Sequence, residues 1–132
     1  MLKKYLKKNT RKILVVDDEP AICNMLKKFL TKKGYKADIA LSGEEAVKKV
    51  KKDKPHVVLL DIKMPGMDGV EVLKKIKEID KKIPIVIMVT AVADDELGRI
   101  CLEMGAVDYI TKPLGLDYLE NVLIIKLLDI VE

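Results

Sequence analysis

The sequence predicts an α/β fold with a parallel sheet covered by helices on both faces. Short, uniformly apolar runs such as Ile13-Leu14-Val15-Val16 and Val57-Val58-Leu59-Leu60 are what strands buried on both sides look like. Between such runs lie stretches whose apolar residues recur at helical spacing. Strand and helix alternate five times along the chain, which implies right-handed parallel crossovers. At 132 residues the chain is long enough to bury one core without disulfides or metal staples.

Each element follows from its residues. Ile13 to Val16 forms a buried strand that runs into Asp17-Asp18-Glu19-Pro20, and Pro20 suits the first turn of a helix. Ile22, Met25, Leu26, Phe29 and Leu30 give that helix its apolar stripe, with Gly34 as its stop. Tyr35 to Ala40 alternates and is placed nearer a sheet edge. Ser42 with Glu45 matches a capping box, and Ala46, Val47 and Val50 line the following helix. Pro55 leads into His56 and the central strand, which stops at Asp61; Pro65-Gly66 then turns the chain. Asp68 caps a helix striped by Val70, Leu73 and Ile76.

The fourth strand is expected over Ile83 to Val89, with Pro84 tolerated near its start, ending at Thr90-Ala91. Asp94-Asp95-Glu96 opens a helix reaching about Met104, where acids complement the macrodipole. Gly98 inside it costs about 1 kcal/mol relative to Ala, as expected for a loosely stable element or for a close contact. Val107 to Thr111 forms a short fifth strand before Lys112-Pro113, and a last helix spans about Leu116 to Val131. Residues 1–11 form a basic leader, residues 12–132 one domain, and no output domain is expected.

Composition excludes several classes. No apolar run is long enough to span a bilayer, and the basic start lacks the apolar core and cleavage site of a secretory signal. A cytoplasmic protein with no membrane partner is expected. Cys23 and Cys101 then serve as reduced core thiols. The net charge of +4 comes from scattered lysine pairs on several helices, with few aromatics for stacking, so no direct nucleic-acid partner is expected. The absence of Gln and the wealth of Lys, Glu and Ile match a heat-adapted balance.

Asp17 and Asp18, Asp61, Thr90 and Lys112 each fall at or just past the carboxyl end of a different strand. In a parallel sheet those ends share one edge, where open α/β sheets bind their ligands. Two carboxylates about 4 Å apart repel by about 4 kcal/mol at an effective dielectric near 20. Three acids therefore call for a proton or a cation, and hard oxygen donors suit Mg²⁺ or Mn²⁺. A cation there would neutralise phosphoryl oxygens as Asp61 attacks, while Thr90 and Lys112 hold the remaining oxygens. His56, the sole histidine, stands at a strand start and is assigned a structural role.

Val16-Asp17-Asp18-Glu19-Pro20, Leu59-Leu60-Asp61-Ile62-Lys63-Met64-Pro65-Gly66-Met67-Asp68-Gly69, Thr90-Ala91 and Tyr109-Ile110-Thr111-Lys112-Pro113 together resemble the receiver domain of two-component response regulators. The resemblance covers the chain from about Lys12 onward. It implies a flavodoxin-like (βα)5 fold, a doubly wound parallel five-stranded sheet of order 2-1-3-4-5. It implies Asp61 as phosphoacceptor, with a sensor histidine kinase or phosphotransfer protein as donor. Asp18 and Asp61 would ligate Mg²⁺ directly, Lys63 through its main-chain carbonyl and Asp17 through water. Thr90 and Tyr109 would form a switch pair, and the Lys112-Pro113 peptide would be cis. Lys63 and Val92 occupy positions that tune phosphoryl lifetime in the family. Leu114-Gly115 departs from it, because an aromatic is common after the proline.

Phosphorylation of Asp61 would recruit the Thr90 hydroxyl and free space for the Tyr109 ring. The surface of the fourth helix, fifth strand and fifth helix would change in response. The last helix carries Leu119, Val122, Leu123, Ile124, Ile125, Leu127, Leu128, Ile130 and Val131, more apolar surface than one buried stripe needs. A downstream protein or a second copy would cover the excess. Rival classes fit less well. A flavodoxin-type redox carrier would find its cofactor phosphate repelled by Asp17-Asp18-Glu19. An aspartyl-phosphate phosphatase would want an acid where Lys63 stands. A phosphorylation-independent binding module would not need every acidic and switch position filled.

Overall fold

The computed structural model describes residues 11–128. Five strands, β1 (Lys12–Val16), β2 (Lys36–Ala40), β3 (Val57–Leu60), β4 (Ile85–Thr90) and β5 (Asp108–Thr111), alternate with five helices. The helices are α1 (Pro20–Lys32), α2 (Gly43–Asp53), α3 (Gly69–Ile79), α4 (Asp95–Glu103) and α5 (Leu116–Leu128). All strand pairs are parallel, in the order β2-β1-β3-β4-β5 that the receiver resemblance implies. β2 lies at the edge, as its alternating pattern predicts.

The apolar runs are uniform because each strand feeds two cores. Ile13, Val15, Val57, Leu59, Ile85 and Ile87 point to the side packed by α1 and α5, against Cys23, Leu26, Leu30, Leu119 and Leu123. Leu14, Val16, Val58, Leu60, Val86 and Met88 point to the side packed by α2, α3 and α4, against Ala46, Leu73, Ile76 and Cys101. Burial pushes the Cys23 thiol up to about 11 and raises that of Cys101, so both behave as unreactive core residues.

Helix starts follow their chemistry. Ser42 Oγ accepts from the Glu45 amide, while Glu45 Oε1 accepts from the Leu41 amide. Asp68 accepts from Glu71 N–H, and Asp94 accepts from Glu96 and Leu97 N–H. Four strand starts differ from expectation: β1 begins one residue earlier, at Lys12, and β2 one residue later, at Lys36. β4 begins at Ile85, not Ile83, because Pro84 has no N–H to give the ladder and stays outside it. β5 begins at Asp108, paired with Ile87, and the Val107 amide just ahead of it donates to the Val86 carbonyl. The expected ends of the chain, the basic leader and Ile130 and Val131 of the last helix, lie outside the described residues apart from Arg11. Among the described residues no helix is long and apolar enough to cross a membrane.

α5 has apolar residues nearly all round, so its buried face is not legible from spacing. Leu119, Val122, Leu123 and Leu127 are buried, whereas Tyr118, Ile125 and Leu128 are 54%, 60% and 43% exposed.

Candidate functional site

The parallel ladders extend one residue beyond the strands and so fix the polar groups at the sheet's carboxyl edge. The Asp17 amide donates to the Ala40 carbonyl at 3.1 Å, Asp61 to Val16 at 3.0 Å, and Lys112 to Thr90 at 2.8 Å. Side chains at these positions therefore inherit the rigidity of the sheet.

Asp17 and Asp61 are buried, at 3% and 7% exposure, while Asp18 is exposed. One carboxylate oxygen from each of the three lies within 4.8 Å of the others. Lys112 Nζ donates to Asp17 Oδ2 at 2.6 Å and to Asp61 Oδ2 at 3.3 Å. The other oxygens have main-chain donors: Glu19 N–H to Asp17 Oδ1 at 3.0 Å, and Ile62 N–H to Asp61 Oδ1 at 2.7 Å. Burial works against the Lys112 charge. The Asp17 hydrogen bond and the nearby Asp61 charge outweigh it and hold the ammonium pKa above its ordinary value.

Three carboxylates facing one ammonium leave excess negative charge in a partly buried place. The donor set is hard oxygen, with Asp18 open to solvent, and fits a small divalent cation that retains waters. Asp17, Asp18 and Asp61 each have one carboxylate oxygen placed to face such an ion. Lys63 lies on the β3–α3 loop with its side chain exposed. That loop and the β4–α4 loop enclose an open groove of about 550 Å³ lined by Lys63, Pro65, Asp68, Val92 and Leu97.

Thr90 ends β4 fully buried, and its Oγ1 accepts from Val92 N–H at 3.3 Å. Tyr109 on β5 is half-buried, and its hydroxyl donates to the Val92 carbonyl at 2.5 Å. Burial raises the Tyr109 hydroxyl pKa. The two residues proposed from sequence as a pair thus meet on one residue, Val92, through its two flanking peptide groups. The Lys112-Pro113 peptide is cis, as the family resemblance implies.

Two supporting residues escape sequence reasoning. A Cβ at Gly69 would stand 2.1 Å from the Asp61 carbonyl oxygen, so the start of α3 rests directly on the backbone of Asp61. The sequence marks Asp68-Gly69 only as a helix opening. The Cys23 thiol donates to the Asp17 carbonyl at 3.2 Å, linking α1 to the acidic edge, and nothing in its spacing announces that bond.

Comparison with known proteins points the same way. The response regulator receiver domain family matches residues 13–124. The chain is 44% identical over 106 residues to the alkaline phosphatase synthesis transcriptional regulatory protein PhoP of Bacillus subtilis (strain 168), spanning 80% of this chain but 43% of that protein. It is 40% identical over 110 residues to sporulation initiation phosphotransferase F of the same organism, spanning 83% of this chain and 88% of that one. Among solved structures, a CheY-like response regulator receiver domain protein from Methanospirillum hungatei JF-1 superposes with TM-score 0.85 at 34% identity, covering 90% of this chain and 94% of that one. CheY in a CheX–CheY–BeF3–Mg²⁺ complex from Borrelia burgdorferi gives TM-score 0.81 at 38% identity, covering 88% and 89%. The chain belongs to the response regulator receiver domain family of two-component systems.

Proposed function

We propose that Asp61 is the phosphoacceptor and that a sensor histidine kinase or phosphotransfer protein is the donor. The observation that carries this reading is the Asp17–Asp18–Asp61 cluster with Lys112 Nζ reaching across it. An Asp61 carboxylate oxygen attacks phosphorus, the bond from phosphorus to the donor nitrogen breaks, and the imidazole leaves with that electron pair. Asp18, Asp61 and the Lys63 carbonyl would hold Mg²⁺ (or Mn²⁺), with Asp17 acting through water, and the ion would supply charge neutralisation for the phosphoryl oxygens. Lys112 follows the transferred charge from the acids to a phosphoryl oxygen, and the Thr90 hydroxyl takes another. Because Val92 bonds both Thr90 and Tyr109, a shift of Thr90 is felt at the Tyr109 ring and thus on the face of α4, β5 and α5. The exposed Tyr118, Ile125 and Leu128 of α5 offer that face an apolar strip for a downstream protein or a second copy. The chain acts as a signalling phosphoacceptor, catalysing only its own phosphorylation and dephosphorylation.

Acetyl phosphate with Mg²⁺, followed by intact mass, tests the reading. One phosphoryl adduct is expected on the wild-type chain and none on Asp61→Asn. An adduct of equal yield on Asp61→Asn would overturn it.

A further inference from the structure

Gly98 sits in the interior of α4, is buried, and has the ring of Tyr109 as the nearest group from another element. A Cβ built there would lie 3.6 Å from the ring's Cγ and 3.7 Å from each Cδ, and these are its three nearest neighbours. The hollow over Gly98 is thus one methyl deep, and the ring is its roof. The far end of the same ring is tied down by its hydroxyl on the Val92 carbonyl, and the Val92 amide is held by Thr90 Oγ1. Floor and anchor together fix where Tyr109 can stand.

We propose that Gly98 is the seat of Tyr109. Side-chain size at this position sets how deeply the ring tucks against α4, and so how strongly phosphorylation of Asp61 is coupled to the α4–β5–α5 face. The inference rests on the switch role of Thr90 and Tyr109 given above. Alanine would place its methyl in ordinary contact with the ring, so the ring stays. A branched side chain fills two of the three positions around its Cβ. A γ carbon directed at the ring would stand well inside van der Waals distance, and the tyrosine is freer to move than helix backbone. Once the ring swings out, its hydroxyl releases the Val92 carbonyl, and the residue whose amide holds Thr90 loses a brace. Gly98 is a positioning residue, acting through Tyr109.

Fluorine NMR of the chain carrying 3-fluorotyrosine, with Tyr109 assigned by Tyr109→Phe, reads the ring. Titration with beryllofluoride and Mg²⁺ reads the coupling. Gly98→Ala should leave the Tyr109 resonance in place and raise the melting temperature. Gly98→Val should move that resonance toward the position of an exposed tyrosine and weaken beryllofluoride binding by about five-fold or more. In a Tyr109→Ala background the same substitution should cost no affinity, because the ring it displaces is gone. If Gly98→Val melts too early to titrate, Tyr109→Ala in the same chain should restore the fold. An unmoved resonance in folded Gly98→Val overturns the proposal. So does an undiminished affinity with the ring displaced, an equal loss in the Tyr109→Ala background, or a failure of Tyr109→Ala to rescue folding. A wild-type chain that binds no beryllofluoride would instead sink the phosphoacceptor reading, and the coupling with it.

Discussion

The two rims of the sheet use charge in opposite ways. At the amino rim, polar groups answer the main chain. His56 N–H donates to the Lys12 carbonyl at 2.9 Å and Lys12 N–H donates to His56 Nδ1 at 3.0 Å. Lys77 Nζ reaches the Pro84 and Lys81 carbonyls, and Asp80 Oδ1 accepts from Lys82 and Ile83 N–H. These side chains stitch loops to strands. At the carboxyl rim, three acids and Lys112 face one another and fewer donors than the charges require. A rim whose polar groups are closed on themselves is architecture; one left with excess like charge awaits a ligand.

The sharpest way to break the comparison is to disturb the carboxyl rim through its backbone. Gly69→Ala drives a methyl into the Asp61 carbonyl and the Ile62 Cα, neither of which can swing aside. It should destabilise the domain by about 3 kcal/mol, the upper range for overpacking, and lower beryllofluoride uptake at Asp61. Thermal melts checking this should show a drop several times that of any single lysine removed from the amino rim.

Ligand dependence comes next in size. On the proposed reading Mg²⁺ would bind the folded acids and not the unfolded chain. At one hundred times its dissociation constant it should therefore add about 2.7 kcal/mol to stability. Melting temperatures with Mg²⁺ against a chelator should differ by several degrees in the wild type and scarcely at all in Asp18→Asn. Lys77→Met, at the other rim, should melt lower yet keep the full Mg²⁺ shift. A shift that survives in Asp18→Asn would mean the ion binds elsewhere.

Most of the carboxyl rim is legible in the sequence because its members end apolar runs: Val16 before Asp17, Leu60 before Asp61, Val89 before Thr90. Strand ends are marked by an abrupt change of polarity, and a parallel sheet brings them together without further information. Contacts between elements leave no such trace. The approach of Gly69 to Asp61 and the thiol bond from Cys23 depend on how α1 and α3 dock. Gly98 hints at a close contact, but only the docking of α4 makes the Tyr109 ring its partner. The buried face of α5 is likewise hidden, since Ile125 at 60% exposure and Leu123 at 0% are equally apolar. Periodicity finds a stripe only where polar residues bound it.

The smallest effect belongs to the amino rim and concerns pH. Burial, reinforced by the nearby Arg11 and Lys12 charges, holds the His56 pKa below its ordinary 6.5. The geometry agrees, since Nδ1 can accept from Lys12 N–H only while it carries no proton. The folded chain then binds fewer protons at His56 than the unfolded chain, so this contribution to stability is complete above pH 6.5. It is lost as pH falls through the folded value. His56→Asn keeps an acceptor oxygen but does not titrate in this range. Melting temperatures of the two chains should run parallel above pH 7 and converge as pH drops below 6.5. The Mg²⁺ shift at neutral pH should be the same in both, because the clasp stands at the opposite end of β1 and β3 from the acids.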